Sequence, residues 1–267
     1  MNVTEDLAVE KLSRRSLLTK FGAAGIGAAA TAMLAGCGGS GGGNNGAASL
    51  DQQILNAAAT AEALAVVTYS NIINASPLYT TLVSNPADQA YLHAALEQEA
   101  SHYNTLVGAG AVPLATTFYF PTNMFSDVTF QLTLNTLLKL EYAFIAAYLI
   151  GIRDFSTSSK KVLAGQILGV EAEHRALARV VATDLGLQSV DELEGLPELL
   201  TPSTSHAANN LSYERTYSSG PIKNISDVVT YLTPFVTINY PGNGVTAYPF
   251  ATGTSATTPI VQDQTTA

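Results

Sequence analysis

The chain has 267 residues, of which 47% are hydrophobic and only 12% are charged. This composition supplies enough apolar material for a sizeable core, so it excludes a wholly disordered protein. The formal net charge of −9 argues against nucleic acid as a partner, because phosphate binding needs clustered Lys and Arg. The single cysteine, Cys37, excludes an intrachain disulfide.

Residues 1–36 show the features of an export signal in the expected order, so we do not expect them to belong to the folded domain. Paired arginines in residues 13–18 (SRRSLL) precede an apolar run at residues 22–36. This run is shorter than the roughly 20 residues that a permanent membrane span needs. It leads into LAGC, which ends at Cys37, and the Gly-rich residues 37–48 are typical of a flexible tether.

This N-terminus resembles a twin-arginine export signal joined to a bacterial lipobox. The resemblance implies that Cys37 becomes the new N-terminus and carries lipid. The mature protein would then be an exported lipoprotein of the cell envelope, held at the membrane through that lipid. An ordinary secretory signal followed by a chance cysteine is the alternative.

Four long helical segments follow in chain order, each with an apolar stripe at a period of about 3.6 residues. They are predicted at residues 49–73, 85–108, 126–153 and 158–185. The second begins at an Asn-Pro pair, a typical start because asparagine caps a helix and proline fits its first turn. No convincing strand alternation occurs within residues 49–186, so the fold is predicted to be all-α.

The connection between the second and third helices, residues 109–125, is long and rich in Pro, Thr and aromatic residues. Extended chain covers about 3.3 Å per residue, so this segment can run the length of a helix of about 33 Å. The sequence therefore predicts a four-helix bundle with one long crossover over residues 49–186. Residues 187–267 are predicted to be a mostly irregular extension, with short helices, one of them at 226–235, and a loose tail.

Two of the predicted helices carry a Glu-x-x-His motif, and each of the other two carries one glutamate on its apolar stripe. Residues i and i+3 share a helix face, so each motif presents a carboxylate and an imidazole together. A charge on an apolar face is costly unless it is paired or bound to metal. The candidate metal ligands are Glu62, Glu99, His102, Glu141, Glu171 and His174.

Each of these residues also has a simpler interpretation when it is taken alone. A Glu-x-x-His motif occurs by chance in many proteins, and a lone glutamate is often an edge residue. The joint pattern on four helices is far more specific. Four tyrosines, which are mostly expected to be core residues, also lie near the ligands in helical register, and one of them could donate a hydrogen bond to the site: Tyr69, Tyr103, Tyr142 and Tyr148.

The order Glu, Glu-x-x-His, long crossover, Glu, Glu-x-x-His resembles the carboxylate-bridged dimetal site of the ferritin-like superfamily. The closest likeness is to secreted ferritin-like domain proteins related to desiccation-associated proteins. The resemblance implies that two of the glutamates bridge two metals and that each metal is completed by one more glutamate and one histidine. The implied bridging residues are Glu99 and Glu171, and the implied terminal ligands are Glu62, Glu141, His102 and His174.

Four carboxylates that converge in a bundle repel one another, and two divalent cations would cancel their charge. Oxygen-rich sites with a little nitrogen suit iron or manganese. We therefore expect redox chemistry with O2 or peroxide: Fe(II) oxidation, peroxide removal, or a catalase reaction at manganese. A non-enzymatic envelope stress or desiccation protein with a structural or vestigial metal site is the alternative. The sequence leaves open whether the chain is an enzyme and whether it forms a homodimer.

Overall fold

Four long helices form the bulk of the fold. They are α1 (Leu50–Asn74), α2 (Pro86–Gly108), α3 (Gln131–Asp154) and α4 (Ser158–Asp184). A shorter helix, α5 (Ile225–Val236), packs against α1 and α3. The computed structural model describes residues 48–82, 84–187, 222–237 and 244–251, all within one compact unit. These elements confirm the predicted all-α class.

Polar side chains cap three of the long helices at their predicted starts. Ser49 accepts a hydrogen bond from the backbone of Gln52 at the start of α1. Asn85 accepts from Ala87 at the start of α2, where Pro86 occupies the first turn, and a threonine caps α4 in the same way. Such caps satisfy backbone N–H groups that the first turn leaves without a partner, and each is worth about 1 kcal/mol.

The start of α3 differs from the prediction, which placed it near residues 126–127. A 3₁₀ turn occupies Met124–Ser126, and Asp127 then accepts backbone hydrogen bonds from Thr129 and Leu132. Phe130 has a φ of 59°, in the left-handed region, so helical geometry begins only at Gln131. Asp127 thus does bind the first turn of α3, but it lies before the helix begins.

Contacts between α1 and α3 show the direction of these two helices relative to each other. Tyr148 on α3 contacts Glu62 on α1, whereas Tyr69 on α1 contacts Glu141 on α3. Residues later in one helix thus meet residues earlier in the other, so the two helices are antiparallel. α1 also packs on α2, and α4 packs on both α2 and α3. Each helix therefore has two neighbours in the bundle, as four-helix packing requires.

The crossover between α2 and α3 is held to the outside of α1 by hydrogen bonds. The backbone of Val112 donates to the Asn56 side chain at 2.8 Å. The backbone of Leu114 donates to the Thr60 hydroxyl, also at 2.8 Å. Asn56 and Thr60 lie one turn apart, so the crossover follows the axis of α1.

A two-stranded antiparallel sheet corrects the prediction that residues 49–186 hold no strand. β1 (Thr117–Pro121), in the crossover, pairs along its whole length with β2 (Val245–Pro249). β2 lies in the part of the extension that was predicted to be a loose tail, so that prediction is wrong for these residues. Residues 238–243 and 252–267 of the extension, like the predicted short helix after residue 187, lie outside the described residues.

Aromatic packing explains why the sheet forms. Phe118 and Phe120 of β1 are fully buried, and alternate residues of a strand face one side. Phe120 packs against Phe125, against Phe235 of α5 and against Tyr248 of β2. Burying one such ring contributes roughly 1.5–3 kcal/mol. The sheet and α5 therefore form a second layer that covers the bundle.

The helices differ in how much of their surface is covered. α1 is buried on nearly all sides, because α2, α3, α5 and the crossover surround it. α3 is long and apolar enough to cross a membrane by length and composition, but most of it is buried inside the protein. This burial is what a core helix of a bundle shows.

Candidate metal centre

The six predicted ligands all lie in the interior of the bundle. The four carboxylates have no solvent-exposed surface, and they come from all four helices. The exposed fraction of His174 is 1% and that of His102 is 9%. The structure thus brings together Glu62, Glu99, His102, Glu141, Glu171 and His174.

The six side chains form two groups that share two members. In the first group Glu62 and His102 join Glu99 and Glu171; in the second, Glu141 and His174 join the same pair. Within each group the candidate ligand atoms all lie within 4.8 Å of one another. Each group could hold one metal ion, so the arrangement is that of two adjacent positions with two shared carboxylates.

The shared carboxylates divide their oxygens between the two histidines. Oε2 of Glu99 and Oε1 of Glu171 lie 3.5 and 3.1 Å from Nδ1 of His102. The other oxygens, Oε1 of Glu99 and Oε2 of Glu171, lie 2.8 and 3.5 Å from Nδ1 of His174. Each shared carboxylate thus presents one oxygen to each position, which is the geometry of a bridging ligand.

Tyrosine hydroxyls hold the two terminal carboxylates. Tyr69 donates to Oε1 of Glu141 at 2.6 Å, and Tyr148 donates to Oε1 of Glu62. Burial and the adjacent carboxylates raise the pKa of both tyrosines well above 10.0. The hydroxyls therefore stay protonated and act as donors, and each fixes its carboxylate in one orientation.

The atoms that face the two positions form no hydrogen bond of acceptable geometry in the described part of the chain, although the histidine nitrogens lie within ion-pair distance of the carboxylates. They are Oε2 of Glu62 and Glu141, both oxygens of Glu99 and Glu171, and Nδ1 of both histidines. Buried polar atoms are normally satisfied, so eight such atoms in one place require an explanation. They form a donor set of six oxygens and two nitrogens, which fits two divalent cations.

The ring of His174 is oriented from outside the site. Its Nε2 lies 2.8 Å from Oε1 of Gln98 on α2. An amide oxygen only accepts, so the proton of the neutral ring sits on Nε2 and the lone pair on Nδ1 faces the carboxylates. Gln98 therefore selects the tautomer that can bind a metal.

Without metal, the buried carboxylates of the site lie close together, and their pKa values depart from the ordinary value of a glutamate. Burial raises the pKa of Glu99 well above 4.5, and the carboxylates of Glu171 and Glu62 raise it further. Burial also raises the pKa of Glu141. Burial would raise the pKa of Glu171 too, but its contacts with the two imidazoles lower it to about 2.

The pKa values of the two histidines are raised, although burial alone would lower them. Burial alone would lower the pKa of His102, but Glu62 and the other adjacent carboxylates raise it well above 6.5. The pKa of His174 is raised for the same reason, chiefly by its contact with Glu171. Without metal, protons therefore supply the positive charge that the site needs. Metal binding has to displace them, so the site couples cation binding to proton release.

Two of the four tyrosines that were expected near the site contact the ligands, and two have other partners. Tyr69 and Tyr148 contact the predicted ligands, whereas Tyr103 packs on Phe250 and Tyr142 faces the guanidinium of Arg175.

Two residues near the site were not predicted from the sequence, Tyr91 and Gln98. The Tyr91 hydroxyl lies 3.0 Å from that of Tyr69 and donates to the backbone oxygen of His174 at 2.9 Å. Tyr91 lies about two helical turns before Glu99, a spacing that could have identified it. No local signal points to Gln98, because its partner is on another helix. Cys37, the predicted lipidation site, lies outside the described residues.

Comparison with known protein families matches residues 50–184 to the ferritin-like domain. This range begins with α1, ends with α4 and contains all six residues of the candidate centre. No curated protein and no solved structure matches the chain. The match covers half of the chain and the whole of the four-helix bundle, so the protein belongs to the ferritin-like domain family.

Proposed function

We propose that this protein holds two iron or manganese ions in the bundle and uses them for redox chemistry with O2 or peroxide. The observation that supports this proposal is the pair of overlapping ligand groups that share Glu99 and Glu171. A structural site needs only one closed ligand shell, whereas two adjacent positions with common carboxylates suit the transfer of more than one electron.

The protein side chains would position the ions and control protons. Glu99 and Glu171 would bridge the two positions, and the histidines would each complete one. Tyr69 and Tyr148 hold protons next to the terminal carboxylates. Bound iron or manganese would supply the electrons that reduce O2 or peroxide. Full burial of the carboxylates excludes bulky substrates, so Fe(II) oxidation and peroxide removal are the proposed reactions.

The test begins with elemental analysis of protein purified from its native export route, for which we expect two iron or manganese ions per chain. Metal-free protein is then loaded with Fe(II) or Mn(II) and exposed to O2 or peroxide while Fe(III) formation and O2 are recorded. Glu99→Ala should lose both ions, His174→Ala should lose one, and both variants should lose turnover. Glu173→Ala, at an exposed position on α4, is the matched control and should keep both.

The outcomes separate the candidate functions. Oxygen release from peroxide with manganese but not with iron would identify a catalase-like enzyme. Binding of two ions without turnover under any of these conditions would contradict the redox proposal and leave a stress or desiccation protein with a structural site. Failure to bind any metal would contradict both.

We also propose that the protein is exported and anchored through lipid on Cys37. The arginine pair, the apolar run and LAGC support this proposal, because they occur in the order that such signals have. A labelled fatty acid should be incorporated into the native chain and not into Cys37→Ala, which should also leave the membrane fraction. Equal labelling of the two proteins would contradict the proposal.

A further inference from the structure

The two halves of the bundle carry the same ligand pattern, with one offset between equivalent positions of α2 and α4 (171 − 99 = 72) and another between those of α1 and α3 (141 − 62 = 79). Glu99 and His102 on α2 correspond to Glu171 and His174 on α4, with the same spacing in both pairs. Glu62 and Tyr69 on α1 likewise correspond to Glu141 and Tyr148 on α3. Each tyrosine donates to the glutamate of the opposite half. Differences between the halves can therefore be found by comparing equivalent positions.

The first difference is the partner of the histidine ring. Gln98, just before Glu99, accepts from Nε2 of His174 at 2.8 Å. The equivalent position before Glu171 is Val170, whose side chain cannot accept a hydrogen bond. Among the described residues, no hydrogen bond to Nε2 of His102 is present. Nε2 of His174 thus has an acceptor that favours one tautomer and one rotation of the ring, whereas Nε2 of His102 has none among the described residues.

The second difference is a hydroxyl that supports only one half. Tyr91 lies 3.0 Å from the hydroxyl of Tyr69 and donates to the backbone oxygen of His174. Its equivalent on α4 is Leu163, which has no polar atom. Tyr91 therefore contacts both Tyr69, which donates to Glu141, and the helix turn that carries His174.

The third difference is access to solvent. The exposed fraction of His102 is 9% and that of His174 is 1%. The ring without an orienting partner is thus also the ring that solvent reaches. All three differences point the same way, toward a more rigid and drier position at Glu141 and His174.

We propose that the two metal positions are unequal, and that Gln98 is the positioning residue that makes the Glu141/His174 position bind first and more tightly. The Glu62/His102 position then binds second and exchanges its ion more easily. This inference rests on the proposed binding of two metals. An oriented ring loses less freedom on binding, and partners that orient a metal-binding histidine typically change affinity by about 10–100-fold.

The test is a titration of metal-free protein with Co(II), followed by calorimetry and by the visible absorption of the bound ion. Native protein should show two resolved steps. Gln98→Val, which places at this position the residue found at 170, should weaken the first step by about 10–100-fold and leave the second unchanged. Gln166→Val, at an exposed amide on α4, is the matched control and should titrate like the native chain.

A reciprocal variant tests the same idea in the other half. Val170→Gln offers an acceptor at the position equivalent to Gln98 and should strengthen the second step without altering the first. The thermal midpoint of each metal-free variant should stay at the native value, which a general loss of structure would not allow.

Three results would overturn the inference. They are two indistinguishable steps in the native protein, equal weakening of both steps by Gln98→Val, and no effect of Gln98→Val on either. Each of these leaves the dimetal proposal intact, because two ions still bind. Absence of any Co(II) binding, together with absence of iron and manganese, would instead contradict the dimetal proposal and this inference with it.

Discussion

The half of the site at Glu62 and His102 and the half at Glu141 and His174 use the same types of ligand, but they are supported differently. Each terminal glutamate accepts from one tyrosine. Among the residues that the structure describes, only His174 has an amide partner at Nε2, and only its half has a second tyrosine. The ligands thus follow a repeated local pattern, whereas the hydrogen bonds that orient them come from single residues on neighbouring helices.

The largest effect is expected where the two halves overlap. Glu171→Ala removes both oxygens that this residue presents, one to each half, so binding at both positions should be lost. Elemental analysis should then find no bound iron or manganese, against two ions in the native protein. Glu173→Ala, two residues along the same helix and exposed, should retain both. One ion retained by Glu171→Ala would show that the halves are independent.

The next largest effect separates the halves. His174→Ala should remove the ion at the Glu141 position, and His102→Ala should remove the ion at the Glu62 position. Each variant should therefore bind one Co(II) with a loss of at least about 10-fold at the altered position. The remaining ion should be bound more tightly in His102→Ala than in His174→Ala. The reverse order would break the comparison, because the less exposed half would then be the weaker one.

Proton binding is a property that both halves share. Both histidines and two of the glutamates have raised pKa values, so the metal-free folded state binds protons that the unfolded state has released. The free energy of unfolding of metal-free protein should therefore fall as pH rises between 5 and 8, through the glutamates over the whole range and through the histidines only above their unfolded pKa of 6.5. The lowered pKa of Glu171, about 2, does not act in this range.

Urea unfolding with a chelator present measures this dependence. Metal affinity should change in the opposite direction and rise with pH, because binding displaces the same protons. Calorimetry in buffers of different ionisation enthalpy counts the protons released. Metal-free protein that becomes more stable from pH 5 to 8 would be inconsistent with cationic histidines in the interior.

The smallest effect is expected from the tyrosines that hold the terminal glutamates. Tyr69→Phe and Tyr148→Phe each remove one donor to a buried carboxylate, a hydrogen bond worth about 1.5–3 kcal/mol. Each should weaken Co(II) binding about tenfold, Tyr69→Phe at the first step and Tyr148→Phe at the second. Tyr103→Phe, which does not contact the ligands, is the control. Equal effects of both variants on one step would contradict the crossed pairing of tyrosine and glutamate.

The ligand set and the four helices were predictable because both depend on local spacing. A Glu-x-x-His motif places its two side chains on one helix face, and the apolar stripe directs that face inward. Asn85 and Pro86 mark the start of α2 for equally local reasons. The family match is consistent with the predicted superfamily, and the buried cluster is consistent with the predicted site.

The features that were missed depend on contacts between distant parts of the chain. β1 is five residues long and its partner lies far away along the chain, so the sequence near either strand gives no strong indication of a strand. Gln98 looks like any polar surface residue until His174 is placed opposite it. The start of α3 was misplaced because Asp127 binds the first turn from outside, by way of a left-handed Phe130.

The pairing of β1 with β2 has a consequence for how the chain matures. The crossover strand, Thr117–Pro121, is synthesised well before its partner, Val245–Pro249. The bundle helices can associate earlier, because their contacts lie closer along the chain. A nascent chain stalled before residue 245 should therefore present Phe118 and Phe120 to chaperones, and synthesis of the second strand is the step that allows them to be covered.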